Sequence, residues 1–547
     1  MHRQRVACRR EISSLSALLF GQVLIAGCSQ PDAAPGPAAG GDAGALDGAS
    51  GSSGASGSSG AGGSGAGGGG AGSSGASGGA GSGGSAASGG SAAGGSGGAA
   101  LSCAELSCSH GHCEAQAGGA VCVCHEGYTG ADCAARGGDY GRRVKLIEGL
   151  ADPDVLAMPD GGYILSGTTT GVDLTFWRST DLTSWQVAGN YNPSVADGGH
   201  DYCALWAPDI AFEDGQLVLY FSAYQGPKGN THCPWPGGSD VTTFRTVSTD
   251  GGLSFGAPQL LFPNADPYQQ AHSRTSAGCP PGGCGLAIRI DITSFEGRLY
   301  YVFFNQGNNV ASVARNDPGD FWMHTGPAVY GLQGYEESIN EGPEILPWGG
   351  RYYMFFSAGW FNSQYATFYM MADQPSGLVR SAGVHRLTTP VRRGDGALME
   401  SHGHNSVAIF QGEAFNFFHM GVFDGGGNLL RRDTYRQRLV FADDGSLRSQ
   451  NEVRVSWNAL GGGNAYSLDL VLRSGEVIGP CIGAGRIGTS LSTTFTGVCP
   501  DAGDRLVHKA EVAAFRLFAS SGSNFQQVGE LPFDGYSDSV QMSIAQP

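Results

Sequence analysis

Two things are scarce in this 547-residue chain, positive charge and long apolar runs. Lysine plus arginine number 31 against 48 aspartate plus glutamate, a formal charge of −17, which argues against nucleic acid or anionic lipid as a partner. The apolar stretch from Leu15 to Ala26 is too short to span a bilayer, and no other segment is a transmembrane candidate. Glycine is the opposite case at 93 residues, but much of the excess lies in residues 29–100, which are almost entirely Gly, Ser and Ala with a little Pro and Asp. Such a composition buries too little apolar surface to offset its ordering entropy. It reads as a flexible tether, and about seventy such residues have a root-mean-square span of roughly 45 Å.

Ahead of the tether, residues 1–28 place Arg3, Arg5, Arg9 and Arg10 before the apolar run, the layout of an export signal. The run ends in Leu24-Ile25-Ala26-Gly27-Cys28, which resembles the bacterial lipobox. The resemblance implies that Cys28 is lipidated and becomes the first residue of the mature protein; an ordinary cleavable signal with an incidental cysteine is the plainer alternative. The expected location is a membrane-anchored lipoprotein at the outer membrane or cell surface, facing the periplasm or the exterior.

Cys103, Cys108, Cys113, Cys122, Cys124 and Cys133 follow within residues 101–136, a stretch with too little core of its own to fold without staples. Spacing alone leaves about 15 pairings open. The ending Cys122-Val123-Cys124-His125-Glu126-Gly127-Tyr128-Thr129-Gly130-Ala131-Asp132-Cys133 resembles the epidermal-growth-factor-like module. That resemblance implies Cys103 with Cys113, Cys108 with Cys122, and Cys124 with Cys133. The acidic residues that mark its calcium-binding variety are missing before Cys103. Elsewhere, proximity in sequence suggests Cys203 with Cys233, Cys279 with Cys284, and Cys481 with Cys499.

From about 140 to 448 a pattern recurs in which a polar residue precedes a glycine turn and then an aromatic and β-branched strand. The turn glycines are 161, 215, 297, 350 and 412, at steps of 54, 82, 53 and 62 residues. Periods near fifty with several strands each predict an all-β fold, a five-bladed β-propeller whose blades bury their faces by stacking around an axis. One polar residue per unit, at Asp152, Asp209, Asp291, Glu341 and His404, then converges on that axis. Ser179-Thr180-Asp181-Leu182-Thr183-Ser184-Trp185 and Ser248-Thr249-Asp250-Gly251-Gly252-Leu253-Ser254-Phe255 read as outer-hairpin turns, folding elements rather than catalytic ones; the second resembles the Asp-box of sialidase-type propellers.

Five pieces in order, Ala151-Asp152-Pro153-Asp154-Val155, Trp206-Ala207-Pro208-Asp209-Ile210, Ile290-Asp291, Glu341-Gly342-Pro343 and Gly403-His404-Asn405-Ser406, together resemble glycoside hydrolase family 43. In that family, five-bladed propellers hydrolyse arabinose-, xylose- or galactose-containing glycans with inversion and need no redox cofactor. The resemblance implies Asp152 as general base, Glu341 as general acid, and Asp291 as the residue that orients the acid and tunes its pKa. The matching family histidine lies near the axis, often beside an ion such as calcium; His404 is equally compatible with a histidine hydrogen-bonded in the core. Ile292 departs from the small residue or proline usual after the third acid, and the long insertion behind the 82-residue step weakens any inference about which sugar fits.

The chemistry asks for such a set on its own account. Inverting cleavage needs one carboxylic acid to protonate the leaving oxygen and one carboxylate to activate water from the other ring face. A third carboxylate raises the pKa of the acid, because neighbouring like charges resist joint ionisation. Asp154 and Glu344 are rivals by proximity, set aside because Pro153 makes a strand edge and because a residue three along an extended strand faces the other way. Asp209 is kept as a supporting residue behind the site.

Residues 449–547 alternate apolar with polar at Val453, Val455 and Trp457 and at Leu468, Leu470 and Leu472, and less strictly at Val512, Phe515 and Leu517, which predicts a β-sandwich, fibronectin-type-III-like or carbohydrate-binding. The expected activity is that of an exported glycosidase acting on a polysaccharide or oligosaccharide. The other reading is a non-catalytic surface carbohydrate-binding or adhesion protein on the same scaffold. The anchor is tested by Cys28→Ala, which should move the protein from the membrane to the soluble fraction; equal solubility of variant and parent would refute lipidation.

Overall fold

A computed structural model describes residues 102–544, apart from 230–240, 262–290, 304–308, 325–339 and shorter breaks. Cys28, the signal, the tether, Cys233, Cys279, Cys284 and the side chain of Cys124 lie outside the described residues. Strand is the dominant regular structure of the described residues, and none of their helices is long and apolar enough to cross a membrane.

Near the start, Gly111–Gln116 pairs antiparallel with Gly119–Cys124. Disulfides join Cys103 to Cys113 and Cys108 to Cys122, as the module resemblance implies. Cys133 and Cys203 are also disulfide-bonded.

Five antiparallel sheets follow in chain order. The first is a meander of Ala151–Ala157, Tyr163–Thr168, Leu174–Ser179 and Gln186–Tyr191. The second, third and fourth are four-stranded meanders beginning at His200–Glu213, Ile292–Phe295 and Asn340–Trp348. In the fifth, Leu398–Phe410, Glu413–Phe423 and Leu429–Arg438 are flanked by Val391–Arg392 and, on the other edge, by Val144–Ile147. That edge strand precedes the first sheet in sequence, so one stretch of chain ties the last sheet to the first.

The recurrent glycines close the hairpins that join the strand ahead of each glycine to its partner. Gly161, Gly215, Gly297, Gly350 and Gly412 all have positive φ, between 71° and 87°. At four of these turns the preceding residue, Asp214, Glu296, Gly349 or Gln411, is also left-handed, the two-residue geometry that matches strand twist. Further out, the Asp181 carboxylate accepts from the Thr183 and Ser184 amides at 2.8 and 2.7 Å, and Asp250 from the Ser254 amide at 2.9 Å. Both carboxylates brace hairpins, as their sequence pattern predicts.

Alternation along the second strands divides their side chains between two neighbours. Leu217, Leu219 and Phe221 pack with the first sheet, Val218 and Tyr220 with the third. Leu299 and Tyr301 face the second sheet, whereas Tyr300 and Val302 join Met354 and Phe356 of the fourth. Tyr353 and Phe355 meet Ala414 of the fifth. Phe417 and Ala408 of the fifth pack with Val155, Tyr163 and Leu165 of the first.

Beyond residue 449, Val453–Trp457 lies between Ser492–Phe495 and Ser539–Met542, while Ala465–Leu472 and Val512–Ser520 centre a four-stranded sheet. Both sheets feed one core that holds Val453, Trp457, Leu468, Leu470, Phe515 and Leu517. A disulfide joins Cys481 to Cys499.

Phe417 is fully buried where the fifth sheet meets the first. Phe417→Ala should therefore cost about 3–5 kcal/mol in denaturant unfolding; a loss within about 0.5 kcal/mol, typical of surface substitutions, would deny that this contact matters.

Candidate active site

The first long strand of four of the five sheets is not regular. The pairing register slips between Ala151 and Asp154, between Trp206 and Asp209, between Glu341 and Glu344, and between Gly403 and Asn405. Each slip holds a residue with positive φ: Asp152 at 48°, Ala207 at 43°, Gly342 at 59° and His404 at 50°. In three of the four the next residue is proline, which has no amide to give the ladder. Bulges of this kind re-aim side chains. They also correct one correspondence read from the sequence: the counterpart of Asp152 in the second sheet is Ala207, and Asp209, two residues on, matches Asp154 and Glu344.

Asp291, Glu341 and His404 each present an atom within 4.8 Å of the other two. The Gly342 amide donates to Asp291 Oδ2 at 3.3 Å. Tyr365 donates its hydroxyl to Glu341 Oε1. A β-carbon at Gly342 would lie 3.2 Å from the His404 ring, and one at Gly403 would lie 2.2 Å from the Tyr365 ring. Close approach therefore requires glycine at 403, and at 342 the close approach is joined by the positive φ of 59°.

Asp152 is tied to the same group through His404, whose Nδ1 is 3.4 Å from Asp152 Oδ1. Arg432 Nη1 donates to that oxygen at 3.0 Å. His419 Nδ1 lies 3.0 Å from it and 3.1 Å from the Asp152 amide, so this nitrogen either donates to the carboxylate or accepts from the amide according to its tautomer. Tyr365 stacks on the His419 ring at 5.3 Å and 10°, which links the surroundings of Glu341 to those of Asp152. The Arg432 guanidinium lies over the Phe361 ring at 4.7 Å.

The two carboxyls are displaced in opposite directions. Burial pushes Glu341 up to about 7, and the Asp291 charge adds to the rise against the smaller pull of the Tyr365 hydrogen bond. Burial would also raise Asp152, but Arg432, His404 and His419 together outweigh it and hold that carboxyl well below the ordinary range. Burial lowers His419 to about 4, so its ring is neutral at pH 7. The site thus holds an acid at 341 that keeps its proton to higher pH than usual, beside a carboxylate at 152 that stays ionised.

Of the residues singled out in the sequence, Asp152, Asp291, Glu341 and His404 come together here. Asp209 does not; it clusters with Asp154 and Glu344, whose ligand atoms lie within 4.8 Å of one another. Tyr365, His419 and Arg432 carry no repeat signature and escaped the sequence reading. A hard cation such as calcium, which takes six to eight oxygens, fits poorly beside His404, because one of the three donors there is an imidazole.

No family model matches the chain. An extracellular exo-α-(1→5)-L-arabinofuranosidase of Streptomyces avermitilis is 24% identical over 284 residues, 48% of this chain and 52% of its own. The chain thus spans about half the length of that curated relative. Among solved structures, a thermostable family-43 glycoside hydrolase is 22% identical with a TM-score of 0.40, covering 56% of this chain and 95% of its own. An α-L-arabinofuranosidase from Lactobacillus brevis is 17% identical with a TM-score of 0.40, over 55% of this chain and 94% of its own.

Since the folded pKa of Glu341 lies above its ordinary 4.5, its favourable contribution to stability is present below pH 4.5 and is lost as pH rises through 7. Asp291→Asn should lower the Glu341 pKa and Tyr365→Phe should raise it. Carboxyl ¹³C NMR, with Glu341→Gln identifying the resonance, reads both; shifts of the same sign in the two variants would contradict this account.

Proposed function

We propose that this protein is an exported, inverting glycoside hydrolase. Its five sheets from 140 to 448 are read as the blades of a β-propeller, flanked by an epidermal-growth-factor-like module over 101–136 and a β-sandwich over 449–547. The observation that carries the proposal is the pair of carboxyls with opposite displacements in one site, Glu341 raised and Asp152 depressed, with Asp291 against the first.

Glu341, whose pKa is pushed up to about 7 and which therefore keeps its proton to higher pH than an ordinary carboxyl, gives that proton to the departing glycosidic oxygen. Asp152 stays ionised throughout and takes a proton from the water that attacks the anomeric carbon from the opposite face. The products are the free leaving hydroxyl and a sugar of inverted configuration, and the two carboxyls end with their proton states exchanged. Asp291 keeps Glu341 protonated and, by accepting from the Gly342 amide, fixes the turn on which Glu341 sits. Arg432 and His404 hold Asp152 on the Oδ1 side. The likeness to an exo-α-(1→5)-L-arabinofuranosidase supports arabinose-containing chains as the first substrates to test, ahead of xylose- and galactose-containing ones. Membrane attachment through a lipidated Cys28, with the tether between, would place the enzyme where such polymers are met.

Glu341→Gln should cripple natural linkages by about 10²- to 10⁴-fold yet spare aryl glycosides, whose departure needs little proton donation. Asp152→Asn should fail on both kinds. Rate should fall above pH 7 in the parent, and this limb should move to lower pH in Asp291→Asn. The first-formed sugar, followed by ¹H NMR, should be the inverted anomer. Retention would assign a carboxylate as nucleophile and end this scheme; tight binding of arabinan without turnover would favour the non-catalytic reading.

A further inference from the structure

Two residues beyond the left-handed positions, a second group of acids is brought together. Asp154, Asp209 and Glu344 come from the first long strands of the first, second and fourth sheets, and their nearest ligand atoms all lie within 4.8 Å. Neighbours from the other two sheets complete the ring: Thr293 Oγ1 donates to Glu344 Oε2 at 3.1 Å, and Ser406 Oγ to Asp154 Oδ1 at 2.9 Å. The Ile210 amide donates to Asp154 Oδ2 at 2.5 Å. Asp154 and Asp209 are 8% and 6% exposed.

Two observations point to a ligand. Asp209 Oδ2 is buried and has no hydrogen-bond partner, and a buried carboxylate oxygen left unpaired is costly. Moreover, among the described residues no arginine or lysine pairs with any of the three acids, in contrast to Asp152, which Arg432 neutralises. Three like charges at this spacing cannot all persist without a counter-charge.

We propose that Asp154, Asp209 and Glu344 form a site for a hard divalent cation, with calcium the best fit, distinct from the Asp291–Glu341–His404 group. All three acids offer oxygen only, the donor such ions prefer. Calcium–oxygen bonds of about 2.3–2.6 Å place opposite ligands about 4.6–5.2 Å apart, so oxygens within 4.8 Å fit one coordination sphere. The free Asp209 Oδ2 is the first ligand, carboxylate oxygens of Glu344 and Asp154 complete the protein's share, and water fills the remainder. The cation ties three sheets together at their first long strands. This inference does not depend on the glycosidase reading.

The full chain, stripped with chelator and titrated calorimetrically with CaCl₂, should bind Ca²⁺, and its Tm should rise with Ca²⁺ concentration. Asp209→Asn and Glu344→Gln keep shape and remove charge; each should weaken Ca²⁺ binding by about tenfold or more, because ligand charge sets affinity. In chelator both variants should melt no lower than the parent, since each relieves repulsion. The proposal is overturned if the stripped parent binds no Ca²⁺ and its Tm falls as pH rises through neutrality, which would mean that the acids share protons instead. It is equally overturned if both variants bind Ca²⁺ as the parent does, and loss of binding in His404→Ala would then locate the ion beside His404. The parent titration stands even where a variant fails to fold.

Discussion

The left-handed bulge on the first long strand of a sheet is the constraint on which the rest depends. Four of the five sheets interrupt their first long pairing at the same kind of place, with Asp152, Ala207, Gly342 or His404 at positive φ. A non-glycine residue held there costs on the order of 1–3 kcal/mol. The surrounding sheet fixes it by resuming regular pairing within three residues. What the bulge provides is a break in the strict two-face alternation of a strand. Polar residues two positions apart, such as Asp152 and Asp154, can then serve different clusters while the hydrophobic residues beyond them still reach the packed faces between sheets.

Much of this was legible in the sequence. The five turn glycines, the alternating aromatic strands after them, the bracing aspartates at 181 and 250 and the alternation in the last hundred residues are local signals, and local geometry answers to them directly. Asp152, Asp291, Glu341 and His404 were legible because each stands next to such a signal. The correspondence of Asp209 with Asp152 was misread because a bulge adds a residue to one strand without changing composition. Glu344 was set apart from Glu341 by strand alternation, and the two acids do join different clusters, although the register shift between them, rather than regular alternation, is what separates them.

Tyr365, His419 and Arg432 were illegible for another reason. They come from places where the repeat imposes nothing: Tyr365 just before a strand of the fourth sheet, His419 and Arg432 on the second and third long strands of the fifth. Their importance arises only from what the fold brings against them. In Arg431-Arg432-Asp433, Arg431 pairs with Asp433 while Arg432 turns to Asp152. Nothing in the sequence tells these neighbouring arginines apart except the alternation of the strand, whose inward face is known only once the sheets are packed.

The same placement decides which acid is which. Asp152, Glu341 and Asp291 occupy one site, and burial alone would push the first two upward together. Arg432 breaks that symmetry, because it reaches Asp152 Oδ1 at 3.0 Å and leaves Glu341 to face Asp291. The guanidinium thus pulls one carboxyl down, while the charge of Asp291 adds to the rise of the other. A lysine at 432 would keep the sign of the effect but lose the planar group that lies over Phe361 at 4.7 Å, and with it the support that aims the charge. The third long strand of the fifth sheet therefore widens the pKa gap, since Arg432 is the strongest of the pulls on Asp152, with His404 and His419 beside it.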